Sequence, residues 1–102
     1  MQQQPPLGNG ENNMEIVNKP IEMISFCGTD GDLRPLRFRY EDEAHHPRIV
    51  RVREIISSRE SQLLGLTSFL YLCRAMVSGK DQLFELRYTV KNHNWVLYRV
   101  MS

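Results

Sequence analysis

The sequence predicts an all-β domain, a small meander or barrel of five to six strands behind a flexible N-terminal tail. Three observations carry this expectation. Apolar and polar residues alternate with period two in several short runs, the spacing of a half-buried strand. Turn signals rich in Gly, Asn and Asp separate those runs at short intervals. The chain is 102 residues long, one domain's worth, and a chain of this size buries a core without disulfides or metals.

Residues 1–19 are rich in Gln, Asn, Pro and Gly, too polar to offset the entropy of ordering, and are expected to be a tail. Met14-Glu15-Ile16-Val17 could add a short strand, which Asn18, Lys19 and Pro20 would end. Residues 20–102 form the single β domain. Ile21–Cys27 is its first strand, and Asp30-Gly31 marks a tight turn. Leu36–Tyr40 follows, with Leu36, Phe38 and Tyr40 inward. The polar segment Glu41–Pro47 is a loop. Arg48–Ile56 is the third strand, with Val50 and Val52 inward and Arg51 and Arg53 outward.

Ser57–Ser78 admits two readings. Ser57 with Glu60 fits a helix capping box, and Leu63, Leu66, Leu70, Cys73 and Met76 share a helical face, which gives an α+β alternative with a helix at about 57–76. The favoured reading is a loop through Gly65 and a strand from Ser68 to Val77. Phe69, Tyr71, Cys73, Ala75 and Val77 then line one face. Closure or strong bending would hide the sheet's edges.

Leu83–Val100 closes the chain as a hairpin. Phe84, Leu86, Tyr88 and Val90 face one side, and Glu85, Arg87 and Thr89 the other. A loop of two or four residues around Asn92 and His93 pairs Val90 with Trp95 and Tyr88 with Leu97. A three-residue loop instead pairs Val90 with Val96 and sets Arg87 opposite Arg99, which like-charge repulsion disfavours. The first register leaves Val96, Tyr98 and Val100 on the Arg87 face.

Four segments together carry a resemblance: Arg37–Asp42, Val50-Arg51-Val52, Leu83–Tyr88 and Trp95–Val100. They look like a group of small uncharacterised proteins of Gram-positive bacteria, over roughly residues 21–100. The resemblance implies a compact β domain and a strand over Ser68–Val77, and it brings no activity. A fainter likeness is to the small ligand-sensing domains called WYL, whose diagnostic order this chain does not follow.

No chemistry-bearing motif is present. There is no Gly-rich phosphate loop opening a helix, no Gly-x-Ser-x-Gly elbow and no His-Glu-x-x-His pair. Cys27, His45, His46, Cys73 and His93 lack the close spacing of a metal site. Both cysteines sit in apolar runs and read as reduced, buried hydrophobes. No catalytic residue, metal or cofactor is therefore expected, and the chain reads as a non-enzyme. It has no run of about 18 apolar residues. The first ten residues lack a basic segment followed by an apolar one, so a cytoplasmic location without membrane contact is expected.

Charge gives the one functional signal. Residues 33–102 hold ten Arg and two Lys against seven Asp or Glu, an excess of five positive charges. Arg37, Arg39, Arg51, Arg53, Arg74, Arg87 and Arg99 all fall in expected strands. Guanidinium groups bind phosphate in bidentate fashion and stack on bases, and an aromatic such as Tyr98 beside them would suit single-stranded nucleic acid. The candidate ligand residues are thus Arg37, Arg39, Arg51, Arg53, Arg87 and Tyr98. The expected function is a non-enzymatic binding module for nucleic acid or another anion; the alternative is a protein-interaction or self-assembly domain. A solvated, solubilising face explains outward arginines as well.

Overall fold

A computed structural model of the chain describes residues 14–101. They form seven strands: β1 (Met14–Cys27), β2 (Leu33–Glu41), β3 (Pro47–Arg51), β4 (Glu54–Leu63), β5 (Leu66–Val77), β6 (Lys80–Thr89) and β7 (Asn94–Met101). The described residues contain no helix, so the α+β alternative falls and the strand at 68–77 stands within β5. All pairings are antiparallel, in one sheet of order β3-β2-β1-β7-β6-β5-β4.

The sheet does not close into a barrel. β3 and β4 are consecutive in sequence yet stand at opposite ends of the strand order, with only Val52 and Arg53 between them. The sheet therefore bends until its two ends meet at that corner. Two backbone bonds fix it: Val52 N–H donates to Leu36 O at 2.9 Å, and Arg53 N–H donates to Arg74 O at 2.9 Å.

Bending creates a concave interior that both halves fill. Phe38 and Val50 come from the β2–β3 end. Tyr71, Cys73, Ala75, Phe84, Leu86, Trp95, Leu97 and Val100 come from the other. Phe38 and Phe84, at 1% and 0% exposure, meet edge to face with ring centroids 5.7 Å apart. Trp95 packs between Tyr71 at 5.5 Å and Tyr88 at 4.9 Å. Phe and Trp rings carry much of a small core's burial energy, and tilted or edge-on pairs add to it.

Several expectations change. Residues 14–19 belong to β1, where Asn18 at φ 51° breaks the ladder to β7 between Ile16 and Lys19 and the strand continues beyond it. Asn tolerates that left-handed conformation at low cost, so it bulges the strand instead of ending it. Residues 1–13 of the expected tail lie outside the described residues. The expected third strand, Arg48–Ile56, is two strands split at the Val52–Arg53 corner, and the expected loop through Gly65 is a tight hairpin between β4 and β5.

Three further corrections follow, two from bulges and one from the length of the last hairpin loop. The register shifts between Ile24 and Ser25, leaving Leu36 without a partner, so Pro35 takes the inner position and Leu36 points out, 46% exposed. In the last hairpin neither expected register holds: Tyr88 pairs with Trp95 and Leu86 with Leu97, around a loop at residues 90–93. Val90 is a loop residue, 38% exposed. A shift between Glu85 and Leu86 leaves Tyr98 as an extra residue, so Val100 returns to the core at 2% exposure. Cys27, finally, is exposed, whereas Cys73 is buried as expected.

Candidate anion-binding face

β2 and β3 place their arginines by parity. Phe38 and Val50 face the core, so Arg37, Arg39, Ile49 and Arg51 face out. Register then brings them together. Arg37 stands opposite Arg51, and Arg39 opposite Ile49. On the other side, β1 sets Ile24 opposite Arg37 and Glu22 opposite Arg39.

The arginines differ in how they are satisfied. Arg39 Nε donates to Glu22 Oε1 at 2.8 Å, which neutralises it. Arg37 and Arg51 make no side-chain hydrogen bond or ion pair among the described residues. Like charges directly opposite across two strands are unfavourable, so this pair is held together by the register and not by its own interactions. A groove of about 280 Å³ runs beside it, lined by Glu22, Ile24, Arg37, Arg39 and Ile49 together with Met23 and Phe38. Ile24 and Ile49 are exposed at 49% and 64%, so two free cations border an apolar strip.

The structure does not gather all the expected residues here. Arg53 lies beyond the end of β3, at the corner, among Glu54, Arg74, Met76 and Asp81. Arg87 and Tyr98 sit on the outward side of β6 and β7. There the Arg87 guanidinium lies 4.5 Å from the Tyr98 ring centroid and that of Arg99 lies 5.3 Å from it. Arg87 Nη2 also donates to Asn18 Oδ1 at 3.3 Å. Tyr98 does share a face with Arg87, but two guanidiniums of its own chain already engage the ring. Beside them Glu85, 6% exposed, receives Arg99 Nε at 2.8 Å. This second cluster is engaged within its own chain, although Arg87 Nε is buried without a hydrogen-bond partner among the described residues.

Glu22, Ile24 and Ile49 were missed as site residues. Ile49 was legible, since it shares parity with Arg51 on the same strand. Glu22 and Ile24 depend on the β1–β2 register, which a bulge shifts and no local signal reveals.

His45 and His46 lie in the exposed β2–β3 loop, with His45 at φ 63°. There Asp42 accepts the His46 and Ala44 amides, each at 2.9 Å, and Arg48 Nε at 2.9 Å. The His46 amide, ahead of Arg48, holds the Asp42 carboxyl below its ordinary value. His93, in the β6–β7 loop, meets the Tyr88 hydroxyl through Nδ1 at 2.8 Å. Burial pushes the Cys73 thiol up to about 12, which keeps it protonated and a poor nucleophile. Among the described residues no cluster of three His, Cys, Asp or Glu could hold a metal ion, and no helix is long and apolar enough to cross a membrane.

No protein-family model, curated protein or solved structure matches the chain.

Proposed function

We propose that this protein is a non-enzymatic binding module whose outward β1–β3 face takes an anionic ligand, with single-stranded nucleic acid the favoured class. One observation carries the reading: Arg37 and Arg51 stand opposite each other with no carboxylate partner among the described residues, beside an exposed apolar strip. An anion bridging the two guanidiniums relieves their repulsion and gains charge-assisted hydrogen bonds. Ile24 and Ile49 offer apolar surface to a base or sugar.

The test is fluorescence polarisation with labelled RNA and DNA strands of about ten nucleotides, a length that spans one small β domain, at two salt concentrations. Two neutralised phosphates on a single strand predict a log K against log salt slope of about −1.4. The double variant R37Q/R51Q should remove both the binding and the slope. Absence of binding at low salt and high micromolar protein would exclude the reading.

A second reading has its own support. Phe26, Ile24, Leu36 and Ile49 are exposed at 54%, 49%, 46% and 64% on the same end of the sheet. Apolar residues with Arg are also the composition of protein interfaces. Sedimentation velocity separates the two: self-association that R37Q/R51Q leaves intact favours the interface.

A further inference from the structure

The corner where the two ends of the sheet meet borders a second cavity, a cleft of about 490 Å³. None of its lining residues belongs to the Arg37–Arg51 groove. Its volume falls in the range of small-molecule sites, about 300–1,000 Å³. Leu33, Pro35, Val52 and Ile55 give it apolar walls.

The charged groups that line the cleft are paired, except one. Asp32 and Arg34 satisfy each other at 2.9 Å. Glu54 is taken by Arg74 at 3.0 Å. Arg74 is shared with Asp81 at 3.1 Å, and Arg53 makes no side-chain ion pair among the described residues, so its guanidinium is the one charged group lining the cleft that is left without a direct partner. The Arg53 backbone is fixed by its bond to Arg74 O, which anchors the root of that side chain. Tyr71 also lines the cleft, and its hydroxyl has no hydrogen-bond partner among the described residues. Burial pushes that hydroxyl up to about 12, so it remains a donor at neutral pH.

We infer that this cleft binds a small molecule made of an apolar body and one anionic group, carboxylate or phosphate, with the anion on Arg53 and the Tyr71 hydroxyl available to it. The apolar walls cover the body, and the free guanidinium supplies the charge that the paired groups do not. This site is independent of the nucleic-acid reading of the β1–β3 face.

The experiment is an NMR titration of the ¹⁵N-labelled full chain with benzoate, phenyl phosphate and uncharged benzyl alcohol. Shifts confined to the amides of Leu33, Val52, Arg53, Ile55 and Tyr71 are expected with at least one anion. Loss of a charge-assisted contact is expected to weaken that binding about tenfold in Arg53→Gln and in the alcohol. The two anions, compared with each other, tell carboxylate from phosphate. Arg53 makes no ion pair among the described residues, so R53Q is expected to keep the wild-type melting temperature, and a loss of binding there is not a loss of fold. R37Q/R51Q leaves the cleft shifts in place while oligonucleotide binding falls, which separates failure of either proposal from failure of the other. The inference is overturned by no cleft shifts with either anion at about 10 mM, well above a millimolar Kd. It is equally overturned by unchanged affinity in R53Q or by equal binding of the alcohol.

Discussion

Arg51→Glu should make the protein more stable and a worse anion binder. Arg51 stands directly opposite Arg37, and neither has a carboxylate partner among the described residues. A cross-strand pair contributes roughly 0.2–1 kcal/mol, favourable for opposite charges and unfavourable for like ones. Glu at 51 converts the second case into the first, a swing of about 0.5–1.5 kcal/mol before screening. Arg51 is exposed and Arg37 half-buried, so solvent takes part of this and about 0.5 kcal/mol remains. In a domain of this size about 0.5 kcal/mol moves Tm by roughly 2–4 °C. Arg51→Gln, which removes repulsion without adding attraction, should fall between wild type and R51E. Thermal melts followed by circular dichroism at low salt should give the order wild type, R51Q, R51E. In 1 M salt the Debye length shrinks to about 3 Å and the gain should largely vanish. Oligonucleotide affinity should fall along the same series as stability rises. An R51E protein no more stable than wild type at low salt, or a gain indifferent to salt, would show that the two guanidiniums do not repel as their register requires.

Three other outcomes test the fold. Glu85→Gln should cost about 1.5–3 kcal/mol in urea unfolding, because it removes the charge-assisted hydrogen bond that Arg99 Nε makes at 2.8 Å to a carboxylate only 8% exposed; Glu60→Gln, on an exposed strand, should stay within about 0.5 kcal/mol. Leu64 sits at φ 53°, 93% exposed, ahead of Gly65 at φ 80°, in a hairpin turn that Asn-Gly fits best, so Leu64→Asn should raise stability by about 0.5–1 kcal/mol; an unchanged Tm would count against it. One thiol, Cys27, should react with an aromatic disulfide reagent at once, and Cys73 only on unfolding. The raised values of Cys73 and Tyr71, both near 12, favour their protonated forms in the fold. Their contribution is therefore complete below about pH 9 and should be lost as pH rises toward 12, which an alkaline unfolding curve measures.

Alternation was legible wherever a strand ran without interruption. Phe84 and Leu86 in β6, and Tyr71, Cys73, Ala75 and Val77 in β5, face the core as their parity requires. Bulges were hidden, because an extra residue flips every later side chain while the sequence carries no mark of it. Leu36 and Val100 changed faces for that reason. The Val52–Arg53 corner was only partly legible: alternation runs from Val50 through Arg53 and breaks at Glu54, whose charge follows directly on that of Arg53. At the candidate site, the outward aim of Arg37, Arg39 and Arg51 followed from period two. That Arg37 meets Arg51 depends on the length and folding of the Glu41–Pro47 loop. That Glu22 claims Arg39 depends on a partner strand across a bulge. Arg53 was misplaced with the others because the corner ends β3 before it.

The β1–β7 ladder has a kinetic consequence. Every other pairing joins strands adjacent in sequence, so β1–β3 and β4–β7 are two meanders that can each form from local contacts. Among the strand ladders, only the one that sets Ile21 opposite Trp95 and Ile16 opposite Arg99 unites them, and it joins residues near opposite ends of the described chain. Its loop-closure entropy is met only when both meanders already exist to be joined. Docking of β1 on β7 should then follow the rate-limiting barrier, and contacts across it should form late. A destabilising Ile21→Val should act by speeding unfolding, while Leu86→Ala in β6 should slow folding. Equal slowing of folding by both substitutions would mean that the chain's two ends meet first and template the rest.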